Sequence, residues 1–231
     1  MYSLVDKLSD RFSEWSNITN EYIKLHYTLS DSEDIQQKFE NSVLKMHKIL
    51  EELLLNFIKF GRFKDKFSSV QMSVFPDFGQ VAVVFSQKLQ TEFEFGINNE
   101  GFFMSTYVTN PECLIKVKDD FWIELTSLFS LGVFKFTENA CITPLTEEEK
   151  SAEKIFQKAK SNVFKIVSDY ILLSLNNPDS LIDFGWFEIK WPFNQTDWEH
   201  LIVNGCQAFK KLYRLNYLLY KAGKRKKQHA K

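Results

Sequence analysis

From Ser3 to Leu29 the apolar residues fall at every third or fourth position: Leu4, Leu8, Phe12, Trp15, Ile18, Tyr22 and Leu25. That spacing is the stripe a helix of about 3.6 residues per turn presents to a core. Ser30-x-x-Glu33 follows as a capping box, in which hydroxyl and carboxylate satisfy each other's orphan backbone N–H groups. It opens a second helix with Ile35, Phe39, Val43, Met46, Leu50, Leu53, Phe57 and Phe60 on one face and Gly61 as its stop.

Between Ser68 and Val108 the period changes to two: Val70, Met72 and Val74, then Val81, Val83 and Phe85, then Thr91, Phe93 and Phe95. Alternation of this kind, broken by Pro76-Asp77-Phe78-Gly79, by the polar Ser86–Leu89 and by Asn98-Asn99-Glu100-Gly101, predicts an antiparallel meander. A short helix over Asp119–Leu131, closed by Gly132, and a strand over Val133–Thr137 come next. Thr146-x-x-Glu149, with Leu145 as its staple, starts a third long helix through Ile155, Ala159, Val163, Ile166 and Tyr170, which Pro178 ends. Leu181–Pro192 reads as a last strand, and Thr196-x-x-Glu199 caps a final helix reaching about Ala222, before Gly223.

The fold class is therefore α+β, an antiparallel β-meander flanked by long N-terminal and C-terminal amphipathic helices. The expected organisation is one α+β domain over 1–222 (helical 1–61, meander 68–108, mixed 112–222), with a basic flexible tail over 223–231. Composition adds a bulky core, with 23 Phe, 8 Tyr and 5 Trp against 8 Gly and 5 Pro. Few glycines also leave few places for the backbone nests that cradle phosphate. Asp6 and Lys7 interrupt the stretch where a secretory leader would be apolar, no apolar run reaches membrane-spanning length, and Cys113, Cys141 and Cys206 are scattered. The expectation is a cytoplasmic protein.

Charge changes the picture most. The whole chain is at −1, yet residues 201–231 hold Lys210, Lys211, Arg214, Lys221, Lys224, Arg225, Lys226, Lys227 and Lys231 and no carboxylate. Nine of the 29 basic residues thus lie in that segment, leaving 20 against 30 acidic ones, or −10, over 1–200. On a helical wheel Lys210, Arg214 and Lys221 fall within about 40° of one another beside Tyr217. Trp198, Leu201, Phe209, Leu212, Leu215 and Leu219 occupy the opposing arc. A cationic stripe holding an aromatic ring suits a nucleic-acid backbone through counterion release and base stacking.

Catalytic patterns are sparse. His26, His47, His200 and His229 stand apart in sequence, there is no CxxC or HxxxH, and no P-loop, GxGxxG or GxSxG occurs. A magnesium-dependent nuclease would need an Asp, a Glu and a Lys converging. Asp77 with Glu92-Phe93-Glu94 lacks the Lys, and Asp183 with Glu188-Ile189-Lys190 puts its carboxylates on opposite strand faces. Glu147-Glu148-Glu149 suits a helix dipole, and the solvent face of a strand accounts for Glu92 and Glu94.

Three functional expectations follow. The first is a non-catalytic interaction protein (an inhibitor, immunity-type protein or accessory subunit) with no cofactor, metal or catalytic residue, whose partner is another protein. The second is a nucleic-acid-binding subunit that places Lys210, Arg214, Tyr217, Lys221, Lys224, Arg225, Lys226 and Lys227 on DNA or RNA phosphates. The third is the metal-dependent nuclease.

Overall fold

The computed structural model describes residues 2–28, 32–74, 79–109, 111–136 and 185–228. Ser30, the Pro76-Asp77-Phe78 turn, the helix expected from Thr146, Asp183 and residues 229–231 lie outside the described residues.

The opening stripe forms α1 (Tyr2–Leu8), which passes through a tighter 3-10 turn at Ser9–Arg11 into α2 (Phe12–Tyr27). The second stripe forms α3 (Glu33–Gly61), burying Met46, Ile49, Leu50, Leu53, Leu54 and Phe57. Gly61 does end this helix, but not by adopting positive φ. The left-handed conformation falls one residue later on Arg62, at φ 49° and ψ 43°. A Cβ at 61 would stand 2.0 Å from the Phe63 ring, so any larger residue there must displace that ring.

The meander is present as β1 (Gln71–Val74), β2 (Gln80–Ser86), β3 (Thr91–Ile97) and β4 (Gly101–Tyr107). β1 pairs antiparallel with β2, with Gln71 opposite Val83 and Val74 opposite Gln80. Asn98 makes the β3–β4 turn, its Oδ1 accepting the N–H groups of Glu100 at 2.9 Å and Gly101 at 3.2 Å. Gly101 has no substitute: a Cβ would meet the Trp191 carbonyl oxygen at 2.2 Å.

Pro111–Lys116 is a 3-10 segment, α4 spans Asp119–Ser127, and Leu128–Ser130 tightens into another 3-10 turn before β5 (Val133–Phe136). β6 (Trp186–Pro192) alternates strictly, burying Phe187, Ile189 and Trp191. The six strands form an antiparallel sheet in the order β1-β2-β3-β4-β6-β5, so β6 is inserted between β4 and the earlier β5. The last helix, α5, spans Trp198–Gln228. Its cap is Asp197 rather than Thr196: Asp197 Oδ1 accepts the His200 N–H at 2.8 Å. This bond holds the Asp197 carboxyl below its ordinary value.

By internal contacts the chain divides into two compact units. One comprises Met1–Ser86, Glu92–Met104 and Lys190–Lys210, the other Gln87–Thr91, Ser105–Ile189 and Lys211–Lys231. The first has an aromatic core. Trp198 meets Trp15 and Phe102 edge-on, each at 5.2 Å between ring centroids, and Phe57 meets Phe95 at 5.1 Å. Trp15, Phe57 and Phe95 are fully buried, and each such ring is worth about 1.5–3 kcal/mol in apolar burial. In the second, Phe134 packs on Phe129 at 5.3 Å and on Phe187 at 5.9 Å, and Tyr107 meets Trp186 at 5.5 Å. Among the described residues no helix is long and apolar enough to cross a membrane.

Candidate nucleic-acid interface

The second half of α5 is fixed from its apolar side. Leu212, Leu215 and Leu219 are fully buried, as the opposing arc of the wheel predicts. Between them sits Asn216, also fully buried, which the apolar pattern does not announce. Its Nδ2 donates to Thr106 Oγ1 at 3.0 Å and to the Tyr107 carbonyl at 3.2 Å, and its Oδ1 accepts the Thr109 N–H at 3.3 Å. A buried amide with three partners at and just past the end of β4 sets the rotation of the helix, because any other rotation would break these bonds and leave the Asn216 amide buried without them.

Rotation fixed this way turns Arg214, Lys221 and Lys224 to solvent. They do not form a uniform stripe. Glu124, projecting from α4, takes Arg214 Nε on Oε1 at 2.7 Å and Lys211 Nζ on Oε2 at 3.2 Å. One carboxylate thus engages two cations of the basic segment. Tyr217 is half-buried, with the Lys88 ammonium 4.8 Å from its ring centroid. Lys224 stands over Tyr220 at 4.6 Å. Lys221 is exposed and forms no ion pair with a described residue.

Gly223 does not stop the helix. The backbone stays helical through Gln228, so the run from Lys224 to Lys227 begins on helix rather than beyond it. An internal glycine costs a helix only about 1 kcal/mol relative to alanine. The position is also closely packed, since a Cβ at 223 would lie 3.2 Å from Cys113 Sγ. The side chains of Arg225, Lys226 and Lys227 lie outside the described residues.

Lys210 belongs to the other compact unit, where it is exposed beside Lys59 and Arg62. Of the eight proposed contacts the second unit therefore brings together Arg214, Tyr217, Lys221 and Lys224, and it adds Lys88 and Glu124. Nothing in the sequence near Lys88 or Glu124 marks either, for they meet α5 across long stretches of chain.

The residues considered for metal chemistry are dispersed. Glu92 is exposed, but Glu94 is buried, against the expectation that both face solvent, because β3 is an inner strand with both faces covered over most of its length. Lys190 pairs with Glu100 at 2.5 Å. Asp77 and Asp183 lie outside the described residues. Among the described residues no three His, Cys, Asp or Glu side chains converge. His47 Nε2 sits 2.6 Å from Gln80 Oε1, and Cys113 and Cys206 are buried. Burial pushes the Cys206 thiol up to about 12.

No protein-family model matches the chain, and neither does a curated protein or a solved structure.

Proposed function

We propose that this chain works as a non-catalytic binding subunit whose C-terminal helix lies along the phosphate backbone of a nucleic acid. The observation that carries the reading is the continuation of α5 through Gly223 to Gln228, which sets Lys221 and the run Lys224–Lys227 on one helical rod with no carboxylate after Glu199. From Lys221 to Lys227 the rod is about 9 Å long at 1.5 Å per residue, the axial length occupied by roughly three phosphates of each strand in B-form DNA. Tyr217 and Tyr220, 6.4 Å apart, supply rings beside the cations.

Anisotropy titrations of labelled DNA and RNA at several salt concentrations test this. At 100° per residue positions 221, 224 and 225 share an arc of about 100°, so Lys221, Lys224 and Arg225 give a slope of log K against log salt near −2.7, at about −0.9 per phosphate contact. Removing 223–231 leaves Lys221 of the three and should flatten the slope to about −1. An unchanged slope after the deletion refutes the reading.

A protein partner is the second reading, favoured by exposed apolar side chains on consecutive elements. Ile123 on α4, Phe129 in the following 3-10 turn and Val133 on β5 are 66%, 50% and 51% exposed, and β5 is the outer strand of the described sheet. Exposed apolar groups beside an outer strand suit addition of a partner strand. Affinity capture should retain a stoichiometric partner that Ile123→Lys with Val133→Lys loses. Identical capture by both proteins counts against it.

A further inference from the structure

Lys7 near the end of α1, Lys59 in the last turn of α3, Arg62 just beyond it and Lys210 on α5 line one open depression of about 660 Å³. All four are exposed and belong to the same compact unit. None forms an ion pair with a described residue, and no described carboxylate lines the depression. Asn56 and the half-buried Phe60 complete its wall.

The ordinary explanation for cations here is that they offset helix dipoles. α1 and α3 both end at the depression, and each helix end carries about half a negative charge. Two halves account for one of four positive charges, so an excess of roughly three remains. Like charges gathered around a concave surface repel one another and raise the local concentration of anions. The groups are also complementary in kind. Arg62 offers a planar fork for two oxygens of one phosphate, and the three ammonium groups are point charges for others.

We infer that this depression binds an oligophosphate, two or more adjacent phosphate groups, presented by a free nucleoside polyphosphate or by a nucleic-acid strand. The site shares no residue with Lys88, Lys221 and Lys224–Lys227, so it stands or falls apart from the reading of the C-terminal helix. Its charge excess matches the three to four negative charges of a triphosphate, and Phe60 gives an apolar face on which a base can rest.

Titration calorimetry of the full chain at low salt tests it, with tripolyphosphate, ATP without magnesium, and a short single-stranded oligonucleotide as probes. The expected result is saturable one-to-one binding of at least one probe, weakened about tenfold or more by Arg62→Glu and by Lys59→Glu. Reversing one charge a few ångströms from a phosphate in a wet site changes the interaction by that order. Lys38→Glu, at the other end of α3, should leave it unchanged. Binding of ATP and tripolyphosphate supports the free nucleotide as source, and binding of the oligonucleotide alone supports the strand. Heats indistinguishable from dilution for all three probes overturn the inference, as does equal affinity in the parent and in Arg62→Glu with Lys210→Glu. Removing 223–231 should leave tripolyphosphate binding intact. If that deletion abolishes it, the site lies on the C-terminal helix and this inference fails while the earlier reading survives.

Discussion

Glu124 gives the sharpest test of the C-terminal helix, because it withholds two cations from that surface. Glu124→Gln keeps the shape and an accepting oxygen but removes the charge. The carboxylate is 20% exposed, Lys211 25% and Arg214 51%, with contacts of 3.2 Å and 2.7 Å. Pairs fully in water are worth about 0.2–1 kcal/mol each. These are partly screened and share one acceptor, so the two together come to about 1–2 kcal/mol. For a chain of this size that is a fall in Tm of roughly 3–6 °C. Binding should move the other way. Two released cations steepen the salt slope by up to about 1.8, so the gain in affinity for DNA at 50 mM salt exceeds that at 200 mM by about tenfold. Glu40→Gln, an exposed carboxylate on α3, makes the same change in net charge elsewhere and should leave the slope alone. Anisotropy at both salts, with circular dichroism to confirm folding, decides it. A Glu124→Gln protein that is less stable yet has the parental slope refutes the assignment of this face to phosphate.

Three further outcomes follow from the geometry. Asn216→Ala leaves Thr106, Tyr107 and Thr109 without their amide partner and should cost about 2–3 kcal/mol in urea unfolding, more than truncation of an exposed Asn such as Asn99. Asp197→Ala removes the cap of α5 and should cost about 1 kcal/mol at neutral pH. Because the folded carboxyl is held below 3.8, its stabilisation is complete above that pH and disappears as pH falls through the lower folded value, so parent and variant should converge in acid denaturation. Cys206, fully buried with its thiol pushed up to about 12, should resist iodoacetamide at pH 8 in the native protein and react in urea, read by peptide mass spectrometry.

Most of the architecture was legible because it is written locally. A three-to-four period over α3 and a period of two over β2 and β3 each report one buried face, and Asn98 with Gly101 fixes a turn within four residues. What escaped depends on distant partners. The insertion of β6 between β4 and β5 is set by which strand edges meet, not by anything within Trp186–Pro192. Gly223 looked like a stop because glycine often is one, but the helix runs through it and packs it against Cys113, which lies far away in sequence. Glu94 looked solvent-facing because alternation assigns it to the outer face of β3, and only the neighbouring elements close that face. The cationic arc was readable from the wheel, whereas its partial neutralisation by Glu124 and the arrival of Lys88 over Tyr217 were not.

The end of α3 sets folding and charge against each other. The Phe63 ring fills the place a Cβ would take at 61, so the one residue type at ease in left-handed backbone is used a position too early and the strain falls on Arg62. A side chain with a Cβ costs roughly 1–2 kcal/mol there. Glycine or asparagine at 62 would relax it, and a search for thermostable variants would select that change early. The same change would remove the only guanidinium among the described residues lining the depression beside Lys59. A variant improved by the measure of melting temperature would be impaired by the measure of anion capture, which makes Arg62 a position where selection for stability alone would design the wrong protein.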